Sequence, residues 1–238
     1  MPAPTPPTRS RLLRLLVGRD PIRRSIYLVG MMPAVFTFYL GVVDQLGADP
    51  QKTLERTLGL WALRFLILTL AITPLRRLGL ANLVRYRRAI GLLAFYYAAL
   101  HVTVYTLLDQ GLDFAAIWAD IVKRPYITVG MLAFTILVPL AVTSNAPMIR
   151  RLGGSAWQRL HRLVYLAAAA AVLHFIMLVK SWSPELVLYA LLIASLLAFR
   201  LLARRPRSTP LRRPAAPRAP DAARPAPAGE RPLQVGPR

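Results

Sequence analysis

The chain has 238 residues, 55% of them hydrophobic, with a net charge of +21 and no cysteine. Such apolar content does not suit a soluble domain of this size and does suit a polytopic membrane protein. The basic residues alternate with long apolar runs, which argues against nucleic-acid binding, and the lack of thiols excludes disulfides, thiolate-held iron–sulfur clusters, cysteine-containing zinc sites and haem attached through thioethers.

In chain order, residues 1–24 form a basic Pro- and Arg-rich segment. No small-residue cleavage site follows the next apolar run, so that run is expected to be an uncleaved first span. The spans are expected at about Ser25–Val43, Leu58–Leu78, Arg88–Leu108, Tyr126–Val142, Leu160–Val179 and Pro184–Leu202. Each is near the ~20 residues that a crossing helix needs. Ser183, Pro184 and Glu185 read as N-cap, first position and first turn of the last span. The predicted fold is all-α, a bundle of six transmembrane helices over residues 25–203. From residue 204 to 238 the composition turns to Pro, Ala and Arg without periodicity, which predicts a disordered tail, either held by anionic headgroups or simply solvated.

Orientation follows from the loops, because Lys and Arg favour the cytoplasmic side. The N-terminal segment, the junction of spans 2 and 3 (Arg76, Arg77, Arg85, Arg87, Arg88), the junction of spans 4 and 5 (Arg150, Arg151, Arg159, Arg162) and the start of the tail are basic. The alternate loops hold Asp44, Asp49, Glu55, Asp109, Asp113, Asp120 and Glu185. Both termini are therefore expected in the cytoplasm.

The chain has three histidines, all in expected spans. His161 and His174 fall in one apolar run, Trp157–Lys180, where a continuous helix would separate them by roughly 20 Å along its axis. Ionisable groups at such depth usually serve a site or a partner. Counted from the arginines at the inner boundary, His101 and His174 share a depth near the outer leaflet, on two helices able to face each other. Two such imidazoles suit the axial positions of a haem b. Zinc fits less well, because a closed site wants about four ligands and carboxylates are missing from these helices.

His161 lies at the inner end of its span. Symmetry with a di-haem helical cytochrome would require a histidine where Arg87-Arg88 stand, and a guanidinium is a poor iron ligand. A second bis-histidine haem is thus not expected. His161 holds an unusually ligated haem or belongs to another site, while Arg87 and Arg88 suit a phosphate, such as that of a flavin mononucleotide, or ordinary inner-side anchoring. Arg64, roughly 10 Å into span 2, should be paired, with a haem propionate and Asp44 as the two candidates. The outer loop Asp113–Arg124, with Trp118, offers a docking surface or an interface anchor.

Several stretches resemble the MsrQ family, formerly YedZ, within the ferric-reductase-like transmembrane superfamily. They are Trp61-Ala62-Leu63-Arg64, Thr73-Pro74-Leu75-Arg76-Arg77, Arg87-Arg88 with Gly91-Leu92, Tyr97-Ala98-Ala99-Leu100-His101, Lys123-Arg124-Pro125-Tyr126-Ile127-Thr128-Val129-Gly130, and Trp157 with Leu160-His161 and His174. The resemblance covers about residues 20–203. It implies a haem b subunit, associated also with FMN, that passes electrons across the bacterial inner membrane to MsrP, a periplasmic molybdenum enzyme reducing methionine sulfoxide. It implies the quinone pool or a cytosolic flavin reductase as donor. The readings from other classes are a small solute or ion transporter with a histidine proton relay, and a ferric reductase acting on metal chelates, which would need an external reductant because no dinucleotide-binding domain follows span 6.

Overall fold

The computed structural model describes residues 21–179 and 183–202, and these are all-α, with no strand among them. Helix α1 is Pro21–Val42, α2 Pro50–Arg77, and α3 Arg87–Val104, prolonged by a π turn over Tyr105–Asp109. There follow α4 Phe114–Lys123, α5 Pro125–Val142, α6 Ala146–Leu152, α7 Gly154–His161, α8 Val164–Leu178 and α9 Pro184–Leu202. Six segments, with α7 and α8 taken together, are long and apolar enough to cross a membrane, as expected. Residues 1–20 of the basic N-terminal segment and the whole tail 204–238 lie outside the described residues.

Packing is organised around a ring of four helices. α2 packs on α3, α3 on α5, α5 on α8, and α8 back on α2, while the diagonals α3–α8 and α2–α5 are not close pairs. α1 leans on α2 and α3 from outside, and α9 on α8 and α2. The centre of the ring is filled by Leu63, Leu66 and Leu70 of α2, Ala94 of α3, Leu137 and Leu140 of α5, and Ala167, Ala168 and Phe175 of α8. Ala167 and Ala168 are completely covered; side chains this small let the α8 backbone approach its neighbours, which is how apolar helices gain packing in lipid.

Local chemistry explains most helix ends. Asp49 accepts from the Lys52 amide and Pro50 takes the first position, so α2 begins two turns before the expected Leu58. Glu55 is therefore a helical residue of the ring, not a loop residue. Asp113 accepts from the amides of Ala115 and Ala116 and opens α4 within what the sequence reads as an outer loop. Asn145 caps α6 by accepting from the Met148 amide, and the Ser183 hydroxyl accepts from the Leu186 amide at the start of α9.

The expected continuous helix carrying His161 and His174 is interrupted. Arg162 N–H bonds to Arg159, Leu163 N–H to Leu160, and Tyr165 N–H to Arg162, three bonds of the tighter 3₁₀ spacing within four residues. These close α7 and restart the chain as α8, so the two histidines do not share one helical phase.

Tyr97 ties α1 to the ring. It is fully buried, and its hydroxyl accepts from the Ala34 amide at 3.0 Å and donates to the Gly30 carbonyl at 2.8 Å, across one rung of the α1 ladder. Tyr97→Phe keeps the ring packed against Trp61 and Phe65 but removes both bonds. We expect a loss of about 1 kcal/mol in unfolding titrations with a denaturing detergent, with the helical content of the folded state unchanged.

Candidate functional site

The ring sets four residues around one level. His101 comes from α3 and His174 from α8, on one diagonal; Gly59 comes from α2 and Gly130 from α5, on the other. The imidazole centroids are 6.3 Å apart, with planes turned 73° to each other. The depth match read from the sequence is thus realised across the ring centre, between helices that are not themselves a close pair.

Each imidazole is held in the same way. His101 Nδ1 is 2.9 Å from the Glu55 carbonyl, and His174 Nδ1 is 2.7 Å from the Tyr126 carbonyl. A carbonyl oxygen only accepts, so both Nδ1 atoms carry the proton and both Nε2 atoms keep their lone pairs. In each case the residue four positions on from the carbonyl, one helical turn away, is glycine: Gly59 after Glu55 and Gly130 after Tyr126. A Cβ at Gly130 would lie 2.8 Å from His174 Nδ1, and one at Gly59 would lie 3.2 Å from His101 Nδ1. The glycines leave the space through which each ring reaches the carbonyl. Glu55 also sets its carboxylate 4.0 Å from His101 Nε2, beyond hydrogen-bond length.

This arrangement passes a test for metal ligation. A metal–imidazole bond of about 2.0 Å, with about 1.2 Å from ring nitrogen to ring centre, separates two opposed centroids by roughly 6.4 Å. The observed spacing agrees, and backbone-anchored Nδ1–H groups are what fix the tautomer of a ligating histidine. Among the described residues no group of three or more His, Asp or Glu side chains converges as a metal site.

His161 is held differently. Its ring stacks on Trp157 with centroids 3.9 Å apart, and its Nε2 is 3.1 Å from Thr143 Oγ1. The Thr143 hydroxyl donates its proton to the Pro139 carbonyl at 2.6 Å, so His161 Nε2 is the donor to Thr143. The Trp157 indole donates to the Thr143 carbonyl at 3.0 Å. Where His101 and His174 present Nε2, His161 has it engaged. Arg87 lies within electrostatic reach of this ring, and Arg88 is half-buried beside it in sequence.

Arg64 does not pair with Asp44, one of its two expected partners. Its Nε donates to the Tyr189 hydroxyl at 2.7 Å and its Nη2 to Glu185 at 3.1 Å, while its guanidinium lies over Trp61 at 4.9 Å. Asp44, the alternative partner, is exposed beyond the end of α1. The start of α9 delivers Glu185 as the counter-charge. We expect a double-mutant cycle of Arg64→Gln and Glu185→Gln to give a coupling of about 1 kcal/mol in detergent unfolding, since intramembrane polar pairs seldom exceed that.

The segment between α3 and α5 forms α4, with Ile117 turned inward and Phe114, Trp118 and Val122 exposed along one side. Asp120 fastens it by a 3.3 Å ion pair to Arg124 and by accepting from the Tyr105 hydroxyl. The sequence did not single out Gly59, Gly130, Thr143's contact with His161, or the Glu55 and Tyr126 carbonyls. The one available signal was a glycine four residues after Glu55 and another four residues after Tyr126.

Fold and site define a helical membrane protein of the ferric-reductase type: residues 58–172 match the family described as ferric reductase like transmembrane component. Over 176 residues, 74% of this chain and 80% of theirs, the chain is 60% identical to proteins named protein-methionine-sulfoxide reductase heme-binding subunit MsrQ from Brucella ovis, Brucella canis and Brucella suis. The chain belongs to the MsrQ family.

Proposed function

We propose that this protein carries a haem b between His101 and His174 and passes electrons across the bacterial inner membrane to a periplasmic molybdenum methionine sulfoxide reductase of the MsrP type. The observation that carries the reading is the matched pair of histidines, each with Nδ1–H fixed by a main-chain carbonyl and Nε2 free, 6.3 Å apart across the ring. The haem-binding name of the relatives agrees with it. A haem in this position supplies one-electron oxidation and reduction without substrate chemistry of the chain's own.

The remaining residues divide the supporting work. Glu55 and Tyr126 hold the tautomers, and Gly59 and Gly130 keep the rings in place. Arg64 holds α9 on α2 and contributes positive charge in the same half of the bundle. His161, its Nε2 engaged by Thr143, belongs to the inner site with Arg87 and Arg88, where the phosphate of FMN is the group they suit. The basic end faces the cytoplasm, and the quinone pool or a cytosolic flavin reductase supplies the electrons. A proton relay finds less support, because both outer Nδ1–H groups are tied to main-chain carbonyls and are not free to exchange partners.

The test is cofactor stoichiometry followed by turnover in vesicles. The purified full chain should hold about one haem b. Once reduced, it should be reoxidised only when an MsrP-type enzyme and methionine sulfoxide are both present. A haem ratio near two, or reoxidation indifferent to the enzyme, overturns the proposal.

A further inference from the structure

The basic end of the bundle contains a second convergence, centred on a residue outside the histidine sites. Arg200, in the last turn of α9, donates Nη2 to the Thr73 hydroxyl of α2, and its guanidinium lies over the Tyr165 ring of α8 at 5.3 Å. Its Nε–H is buried with no acceptor, the one such side-chain atom among the described residues. Arg77, from the end of α2, and Arg87, from the start of α3, lie near enough for their charges to act on it. Arg77 itself lies over Phe199, the neighbour of Arg200, at 5.7 Å.

The ends of α2 and α9 and the start of α3 thus each bring a guanidinium to the same end of the bundle. Every described carboxylate lies at the opposite end, in or beside the α1–α2 turn, the α3–α5 connection and the first turn of α9. Like charges brought together repel, and a buried donor without an acceptor costs about 1–3 kcal/mol. An anion offsets both. Guanidiniums favour phosphate over carboxylate where several converge, because the charge is larger and more oxygens can accept from planar forks.

We infer that Arg200, with Arg87, forms a phosphate-binding site at the basic end of the bundle, filled by a phospholipid headgroup or by the phosphate of a smaller molecule. Thr73 and Tyr165 position the Arg200 fork, and its Nε–H is the donor reserved for the ligand. The site does not rest on the haem reading. It meets the flavin reading at Arg87 only.

The experiment uses the full chain, solubilised, delipidated and still carrying its Soret band. It is titrated by calorimetry with inorganic phosphate, with a short-chain phosphatidylglycerol and with acetate, at constant ionic strength. At least one phosphate probe should bind saturably, and Arg200→Gln should weaken it on the order of tenfold or more, the loss expected for a charge-assisted hydrogen bond. Arg200→Lys should fall between, because it keeps charge without the fork. Binding of both probes assigns the site to any phosphate group, and binding of the lipid alone assigns it to a headgroup. The inference is overturned if neither probe saturates, if acetate binds as well as phosphate, or if both variants bind like the parent chain. Should Arg200→Gln lose the Soret band, Arg200→Lys and Thr73→Val decide by the same criteria. Saturable phosphate binding in a protein that holds no FMN would overturn the flavin reading and leave this one standing.

Discussion

Replacing His174 by Ala, or His101 by Ala, should each abolish the haem Soret band of the purified protein, while His161→Ala leaves it in place. The asymmetry comes from the hydrogen bonds, not from counting histidines. At the ring level, each Nδ1–H is spent on a carbonyl and each Nε2 lone pair is free, so loss of either ring removes one of the two imidazoles that would hold the haem. At the basic end, His161 Nε2 donates to Thr143, whose own proton goes to Pro139. The measurement is a visible spectrum and haem quantification on membranes matched for protein content by immunoblot. A Soret band that survives in both His101→Ala and His174→Ala, or is lost only in His161→Ala, sinks the assignment.

A single methyl group at Gly130 should do nearly as much damage. A Cβ there would stand 2.8 Å from His174 Nδ1, a separation that real Cβ contacts do not reach, and the opposing atoms are a ring with little freedom to retreat. The imidazole must move, which breaks its bond to the Tyr126 carbonyl and shifts Nε2 off its line. Loss of such a supporting contact typically weakens metal affinity about 10- to 100-fold. Gly59→Ala should be milder, since its Cβ would stand 3.2 Å from His101 Nδ1, a distance that small adjustments relieve. The check is haem retained on passage over an apo-haem acceptor such as apomyoglobin. Gly130→Ala should lose haem faster than Gly59→Ala, and both faster than the parent. Equal retention in all three proteins would show that the glycines do not position the rings.

Much of this architecture was legible in the residues because lipid imposes a simple rule on length and polarity. Six apolar runs became six crossing segments, and counting from the arginines brought His101 and His174 to one depth, where the ring joins them. What hydropathy does not encode is rotation about each helix axis. Spans apolar on all sides give no phase, so the sequence could not show that Arg64 turns toward Glu185 and Tyr189, more than a hundred positions away, instead of toward Asp44. Nor could it show that Gly59 and Gly130 face imidazoles. The break after His161 was hidden for another reason: Arg162 and Leu163 are ordinary helix formers, so their composition does not announce it. α2 ran long because an Asp-Pro start at residues 49 and 50 outweighed the polar composition of its first two turns.

The pairing of Arg64 with Glu185 also bears on how the protein is assembled. The arginine arrives with the second crossing segment and its counter-charge with the sixth, so for most of synthesis a guanidinium sits within a crossing segment without its carboxylate. An isolated charge there draws its helix toward the headgroups. α2 can settle to its final depth only when α9 enters, and α2 carries both Gly59 and the carbonyl that anchors His101. The last helix, which carries neither histidine, therefore completes the setting of the helix that anchors one of them.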